Sequence, residues 1–264
     1  MSQPIRFDNG ATYERYMGVW SQSVGEVFLD WLAPPLGADW LDVGCGNGAF
    51  TEILATRHAP AAVTGVDPSA EQLAFARERP ALRTARFHQG DAMALPLTDN
   101  SVDQAVMPLV IFFVPEPSRG VAEMARVVRP GGIVSAYGWD LMNGGFPYFA
   151  VQLAMRELGL DVPMPPSPDA ASVDSLEMLW NGAGLAAVET RTIEVTRTFP
   201  DFDDYWTTVL GGPSVSASLA ALTPAQAGAL QSSVREKLQV AANGPITISA
   251  RANAVKGRVV TMQG

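Results

Sequence analysis

The sequence has few of the residues that stabilise exported proteins or bind nucleic acids. It holds a single cysteine, which excludes an intrachain disulfide. Lysine and arginine number 18 against 27 acidic residues, and the resulting net charge of −9 repels phosphate backbones. No apolar run is long enough to cross a bilayer, and the first ten residues contain no signal-peptide core. We therefore expect a cytoplasmic protein with no membrane span and no nucleic-acid partner.

Metal ligands are also scarce. The chain holds two histidines, and its acidic residues show no ligand spacing, so we expect no metal site. Hydrophobic residues make up 47% of the 264 residues and charged residues 17%, which is typical of a globular protein. This length fits one domain, or one domain that carries an inserted cap.

Short apolar runs alternate with helix-like stretches over the first half of the chain. We predict strands at 40–43, 62–66, 83–88, 102–107 and 133–138, and helices at 49–57, 69–78 and 118–128. This alternation predicts right-handed crossovers and a doubly wound, mostly parallel α/β sheet. The regularity fades after residue 139, where further helices and two strands, at 185–198 and 246–262, are expected.

A glycine-rich loop follows the first predicted strand, in Leu41-Asp42-Val43-Gly44-Cys45-Gly46-Asn47-Gly48. Glycines at alternate positions allow a tight turn and let a ligand lie against the backbone N–H groups. Such a loop on its own also suits a nicotinamide enzyme, or a tight turn with no ligand.

Two aspartates sharpen the interpretation. Asp67 follows the second strand, where a carboxylate can accept hydrogen bonds from both ribose hydroxyls, although it could instead cap a helix. Asp91 follows the third strand, where it could accept from the amine of an adenine or simply stabilise a turn. Because all three loops leave the carboxyl edge of a parallel sheet, we expect them to form one site.

Together with Gln89-Gly90-Asp91-Ala92 and Arg126-Val127-Val128-Arg129-Pro130-Gly131-Gly132, these motifs resemble class I S-adenosylmethionine-dependent methyltransferases. The most similar branch is the group of ubiquinone/menaquinone biosynthesis C-methyltransferases. The resemblance covers residues 13–139 well and the remainder in outline. It implies a Rossmann-like sheet of seven strands, with the last strand antiparallel, and S-adenosylmethionine as the cofactor.

The resemblance also implies roles for particular residues. Asp42 would lie near the methionine amine, the glycine loop would pass the methionine and ribose, and Asp67 would hold the ribose. Tyr13 and Tyr16 resemble an N-terminal lid over the cofactor, although they could be simple packing aromatics. The full expected cofactor set is Asp42, Gly44, Cys45, Gly46, Asn47, Gly48, Asp67, Pro68, Asp91, Ala92, Met93, Met107, Tyr13 and Tyr16.

The acceptor side is less defined. Many relatives place a histidine where Phe112 lies, so a dedicated histidine base is in doubt. Candidates to accept a proton are Asp140, Tyr137 and Tyr205. The expected acceptor pocket consists of Phe112, Trp139, Phe146, Phe149, Tyr205 and Trp206, which suggests an apolar or aromatic small molecule, although core packing explains most of these aromatics equally well.

These expectations divide the chain into three parts. Residues 1–36 form a helical lid; 37–142, 172–198 and 244–264 form the S-adenosylmethionine-binding domain; 143–171 and 199–243 form a helical cap. The expected activity is methyl transfer to a small molecule. Two alternatives stay open: a protein that binds the cofactor without catalysis, and a nicotinamide-dependent dehydrogenase, which the Gly-x-Gly-x-Gly spacing and Asp91 disfavour.

Overall fold

A single mixed sheet organises the computed structural model, which describes residues 14–212, 218–219, 222–239 and 244–260. The strands in this part of the chain are β1 Asp39–Val43, β2 Ala62–Asp67, β3 Arg86–Gln89, β4 Val102–Pro108, β5 Val128–Trp139, β6 Ala186–Phe199 and β7 Ile246–Arg258. The helices are α1 Val19–Leu32, α2 Ala49–Arg57, α3 Ala70–Glu78, α4 Pro117–Val127, α5 Phe149–Glu157, α6 Val173–Gly182, α7 Phe202–Leu210 and α8 Pro224–Lys237.

The strand order is β3-β2-β1-β4-β5-β7-β6. The pairs from β3 to β5 are parallel, and β7 runs antiparallel to both β5 and β6. This arrangement confirms the predicted doubly wound α/β fold of seven strands with an antiparallel last strand. Chain order reverses between β1 and β4, and open sheets bind ligands outside the carboxyl ends of their strands at such a point.

The central strands are apolar because helices cover both faces of the sheet. All but one residue of β4 are buried, and α4 places Val121, Met124 and Val127 against the core. Ser69 caps α3, with its hydroxyl accepting from the Gln72 N–H at 3.2 Å, as the sequence predicts. No helix within the described ranges combines the length and apolarity needed to span a bilayer.

Strand β5 is longer than its prediction, which placed the strand at residues 133–138. The strand already begins at Val128, and its register against β4 shifts between Val102 and Gln104. Gly132 permits this irregularity, because an added Cβ would lie 2.4 Å from the Asp103 carbonyl oxygen.

The paired strands β6 and β7 extend beyond the rest of the sheet. Trp139, the last residue of β5, pairs with Ala252, whereas Phe199 at the end of β6 pairs with Ile246, six residues earlier in β7. Helix α7 follows β6 directly and therefore lies beyond the carboxyl edge of the parallel strands, the edge from which the glycine loop leaves.

Candidate cofactor and acceptor site

The glycine loop turns through left-handed backbone conformations between β1 and α2. The φ angles are +73° at Gly44, +52° at Gly46 and +80° at Gly48. An added Cβ at Gly44 would lie 2.5 Å from a methyl of Val110, whereas one at Gly46 would meet no atom within 4 Å. The missing side chain of Gly44 therefore allows the glycine loop to pack against the loop that carries Val110. At Gly46 the backbone borders open space.

Asp42, at the end of β1, is a fully buried carboxyl group. Its Oδ2 accepts a hydrogen bond from the Thr51 hydroxyl at 2.6 Å, while no donor among the described residues reaches its Oδ1. Burial raises the pKa of Asp42 to about 7, the Thr51 hydroxyl acts to lower it, and the nearby charge of Asp67 raises it further. Because a buried polar atom without a partner is costly, Oδ1 is suited to a cationic donor on a ligand.

Asp67 connects two loops at the same edge. Its Oδ2 accepts from the Gly46 N–H at 2.9 Å, and its Oδ1 accepts from the Ser69 N–H at 2.9 Å. Burial raises the pKa of Asp67, and these two hydrogen bonds oppose the rise. Since an ionised carboxylate has about four acceptor positions, both oxygens can still accept from a ligand.

Asp91 is exposed, and its Oδ1 accepts from the Met93 N–H at 2.8 Å, which is the turn contact considered above as its alternative role. Ala92 is half-buried and Met107 is fully buried in the sheet. Pro68 is exposed, and its carbonyl accepts from the Gln89 side chain at 2.9 Å. Asp91 is therefore positioned by its own turn.

The remaining members of the loop pack inward. The Asn47 side-chain oxygen accepts from the Ala49 N–H at 3.2 Å. The Asn47 backbone carbonyl accepts from the Arg79 side chain at 2.6 Å. The Cys45 thiol is buried, and burial raises its pKa, so it is a packing residue in this loop.

Phe112 lies in the loop after β4 and is buried. Its carbonyl accepts from the Ser167 N–H at 3.1 Å, and the Ser167 hydroxyl donates to the Val114 carbonyl at 2.8 Å. These contacts attach the segment 143–171 to the loop that carries Phe112.

An aromatic cluster joins the start of the described chain to the segments expected to form the cap. The Tyr16 and Tyr148 rings stack with centroids 4.3 Å apart, and the Tyr148 hydroxyl donates to the Tyr16 carbonyl at 2.6 Å. Tyr205 lies 6.0 Å from Tyr148 and meets Phe199 edge-on at 5.2 Å. Within the described part of the chain the buried Tyr205 hydroxyl has no hydrogen-bond partner, and burial raises its pKa. Tyr13 lies outside the described residues.

The other predicted pocket aromatics differ in burial. Trp139 is buried, and its indole N–H has no hydrogen-bond partner among the described residues. Phe146 is half-buried beside Tyr148, and Phe149 is half-buried in α5. Trp206 stacks on Phe202 at 6.0 Å. Phe146 and Trp206 therefore adjoin the aromatic cluster through Tyr148 and Phe202, and the shared acceptor pocket stays a prediction.

The three candidate bases have different surroundings. The Asp140 carboxylate is paired with Arg251 at 3.0 Å and accepts from the Asn143 side chain at 3.0 Å. Tyr137 packs between Phe28, at 4.7 Å, and Phe50, at 5.9 Å. Tyr205 is enclosed in the aromatic cluster, so the three candidates lie in three different environments, and their roles as bases stay predictions.

Two clefts lie away from the glycine loop. One, of about 670 Å³, borders Gln104 and Arg129 near the starts of β4 and β5 and Arg258 at the end of β7. The other, of about 450 Å³, is lined by the Asp140–Arg251 pair and Asn253. Within the described ranges, no group of three or more histidine, cysteine or acidic side chains could hold a metal ion.

Sequence reasoning missed Thr51, Val110 and Tyr148. Thr51 lies nine residues after Asp42 on the following helix, and no local pattern in the sequence links the two residues. Val110 is identified only by its packing on Gly44, and Tyr148 by a stacking partner 132 residues away.

The fold and the loops after β1 and β2 define a doubly wound domain of the nucleotide-cofactor class. Residues 41–136 match the family described as Methyltransferase domain. This match confirms the resemblance inferred from the motifs.

Individual relatives agree with this assignment. The chain is 37% identical over 123 residues to the malonyl-[acyl-carrier protein] O-methyltransferase of Pectobacterium atrosepticum, covering 47% of each protein. It is 34% identical over 131 residues to the demethylmenaquinone methyltransferase of Staphylococcus aureus, covering 49% of this chain and 52% of the relative. The chain therefore spans about half the length of these curated relatives.

The fold extends beyond the matched stretch. The structure of Haemonchus contortus phosphoethanolamine N-methyltransferase 2 in complex with S-adenosyl-L-methionine superposes with a TM-score of 0.59 at 19% identity. This superposition covers 95% of the present chain and 56% of that chain, and at such identity it establishes the fold alone.

Proposed function

We propose that the protein binds S-adenosylmethionine at the carboxyl ends of β1 and β2 and transfers its methyl group to a small molecule. The observation that carries this proposal is Asp42, whose buried Oδ1 lacks a donor beside a loop that borders open space at Gly46. An amino-acid ammonium group would satisfy that oxygen, and Asp67 has acceptor positions left for two ribose hydroxyls. The donor set therefore fits the cofactor.

When bound, the sulfonium supplies the methyl group: the acceptor's nucleophilic atom forms the new bond while the C–S bond breaks and its electron pair stays on sulfur. The chain itself binds and orients the two reactants, and it excludes water. Asp42 and Asp67 fix the two ends of the cofactor's polar part, and Phe112 with its Ser167 contact closes the side toward β4. Alignment of this kind can supply much of the rate without a strong base.

We further propose that the segments 143–171 and 199–243 form a cap that encloses the acceptor. In support, the first segment contacts the Phe112 loop through Ser167, and Tyr148 and Tyr205 from the two segments join one aromatic cluster with Tyr16. Because the groups near Phe112 and Trp139 are apolar or aromatic, the acceptor would be an apolar or aromatic small molecule.

Calorimetry tests which cofactor the protein binds. S-Adenosylhomocysteine should bind and NAD should not. Asp67→Asn should weaken S-adenosylhomocysteine binding about tenfold or more, because a charge-assisted hydrogen bond contributes roughly 1.5 to 3 kcal/mol. Asp174→Asn, an exposed carboxylate at the start of α6, is the matched control and should bind like the wild type. Tight NAD binding without S-adenosylhomocysteine binding would overturn the proposal.

A protein that binds the cofactor without turnover is the second candidate, because Phe112 stands where many relatives carry a histidine. The two are separated by incubating the enzyme with labelled S-adenosylmethionine and a set of phenolic, quinol and carboxylic acceptors. Label transferred to any acceptor supports methyl transfer. Tight binding with no transfer across the set supports the silent binding protein.

A further inference from the structure

We propose that Thr51 is a positioning residue of the cofactor site: its hydroxyl holds one oxygen of Asp42 so that the other is presented, ionised, to the cofactor's ammonium group. This inference rests on the proposed function. Thr51 and Asp42 are both fully buried, and their side-chain oxygens are 2.6 Å apart. At that distance the hydroxyl donates to the carboxylate, which favours the ionised form.

The geometry divides the two oxygens of Asp42 between two tasks. Thr51 occupies Oδ2, and no donor in the described chain reaches Oδ1. A threonine hydroxyl within α2 ordinarily donates to a carbonyl of the preceding turn, as Thr56 does to Glu52 at 2.7 Å. Thr51 instead crosses to β1, so the hydroxyl is committed to orienting the carboxyl group.

The charged surroundings of Asp42 oppose its ionisation. Asp67, from β2, is the acidic group that acts on it, and the Cys45 thiol from the loop stays neutral because burial raises its pKa. Among these neighbours, the Thr51 hydroxyl is the group that stabilises the negative form. Loss of this hydroxyl should therefore reduce the ionised fraction near neutral pH.

Binding an ammonium group to ionised Asp42 should release a proton wherever the ligand-free carboxyl is protonated. S-Adenosylhomocysteine should thus bind the wild type more weakly at pH 6 than at pH 8, with roughly one proton released per ligand at pH 6. Calorimetry in buffers of different ionisation enthalpy measures this release directly, without any measurement of activity.

The test compares four proteins over pH 5.5 to 8.5. Thr51→Val should move the midpoint of the affinity profile upward by about one pH unit and weaken binding at pH 7 about three- to tenfold. Thr51→Ser, which keeps the hydroxyl, should follow the wild type. Thr56→Val removes a hydroxyl from the same helix without touching Asp42 and should also follow the wild type.

The outcomes are distinguishable. If Thr51→Val and the wild type have superimposable profiles, or if Thr51→Ser shifts as far as Thr51→Val, the positioning role is wrong. Should Thr51→Val fail to fold, Thr51→Ala carries the same expectation. If the wild type binds S-adenosylhomocysteine at no pH, the proposed function itself fails, and this inference fails with it.

Discussion

Asp39 and Asp103, at one edge of the sheet, have different surroundings from Asp42 and Asp67, at the other edge. At the edge where strands begin, Arg129 pairs with Asp103 at 2.6 Å and with Asp39 at 3.3 Å. The backbone N–H of Asp39 and the Arg129 guanidinium hold the pKa of Asp103 below its usual range. At the edge where strands end, no cation pairs with Asp42 or Asp67 among the described residues, and burial raises the pKa of both.

A second arginine repeats the pattern of the first edge. Arg126 binds Glu123 at 2.7 Å and Asp99 at 2.7 Å, and it also donates to the Leu97 carbonyl. The Arg126 guanidinium, together with the Leu95 N–H, lowers the pKa of Glu123. Carboxylates that stabilise the fold are thus paired within the chain, as Asp140 after β5 also is, whereas Asp42 and Asp67 are costly until a ligand pairs with them, which is typical of functional sites.

The strongest test of this contrast is Asp42→Asn. Ligand affinity should fall tenfold or more, because a buried charge-assisted hydrogen bond is lost. The ligand-free variant should nevertheless be more stable than the wild type at pH 8. Burial raises the folded-state pKa of Asp42 to about 7 from its ordinary value of 3.8, so the wild type loses stability as pH rises between these values.

The stability gain of Asp42→Asn should be on the order of 4 kcal/mol at pH 8 and should vanish near pH 4. Denaturant unfolding of the ligand-free proteins at several pH values measures it. A variant that is less stable than the wild type at pH 8 would contradict the idea that this carboxylate is held at a cost to the fold.

At the opposite edge, Arg129→Met should have the reverse profile. The ion pairs of Arg129 are partly exposed, so the loss of stability should be about 1 kcal/mol after allowance for solvent screening. Because the folded-state pKa of Asp103 is lowered, this contribution is present above about pH 4 and is lost as pH falls through the folded-state pKa. Cofactor affinity should not change; a loss as large as that of Asp42→Asn would remove the distinction between the edges.

Salt should produce the smallest effect. In 1 M sodium chloride the screening length is about 3 Å, so the stability difference between wild type and Arg129→Met should shrink by roughly half. The pH dependence caused by Asp42 should persist, because buried groups are screened little. Unfolding at 0.05 and 1 M salt measures both quantities. If salt reduced the Arg129→Met stability difference and the pH dependence caused by Asp42 equally, Asp42 would be more accessible than the structure indicates.

Much of the fold could be predicted from the sequence because its signals are local. The apolar runs of β1 and β4, the capping serine Ser69 and the glycine spacing are each contained within a few residues. The irregular start of β5 could not be predicted, since Pro130-Gly131-Gly132 is typical of a turn. There the close approach of Gly132 to Asp103 on a neighbouring strand decides the backbone conformation.

The candidate site divides in the same way. The positions of Asp42 and Asp67 follow from the ends of their strands, so their convergence on one edge could be predicted. Their partners could not, because Thr51 reaches Asp42 across a loop, and the Gly46 N–H reaches Asp67 from 21 residues away in the chain. Roles on the acceptor side stay predictions, since aromatic residues carry no pattern that separates a pocket wall from a packed core.

Cys45, the one cysteine of the chain, lies in the glycine loop and packs closely against β2. An added Cβ at Gly65 would lie 2.7 Å from its sulfur. In this closed arrangement the thiol is 6% exposed and resists deprotonation, so an alkylating reagent can reach it chiefly when the loop detaches from the strand. The labelling rate therefore measures the free energy of that local opening in the unmodified protein. Occupancy of the site should slow the labelling, which makes this thiol a natural reporter of ligand binding.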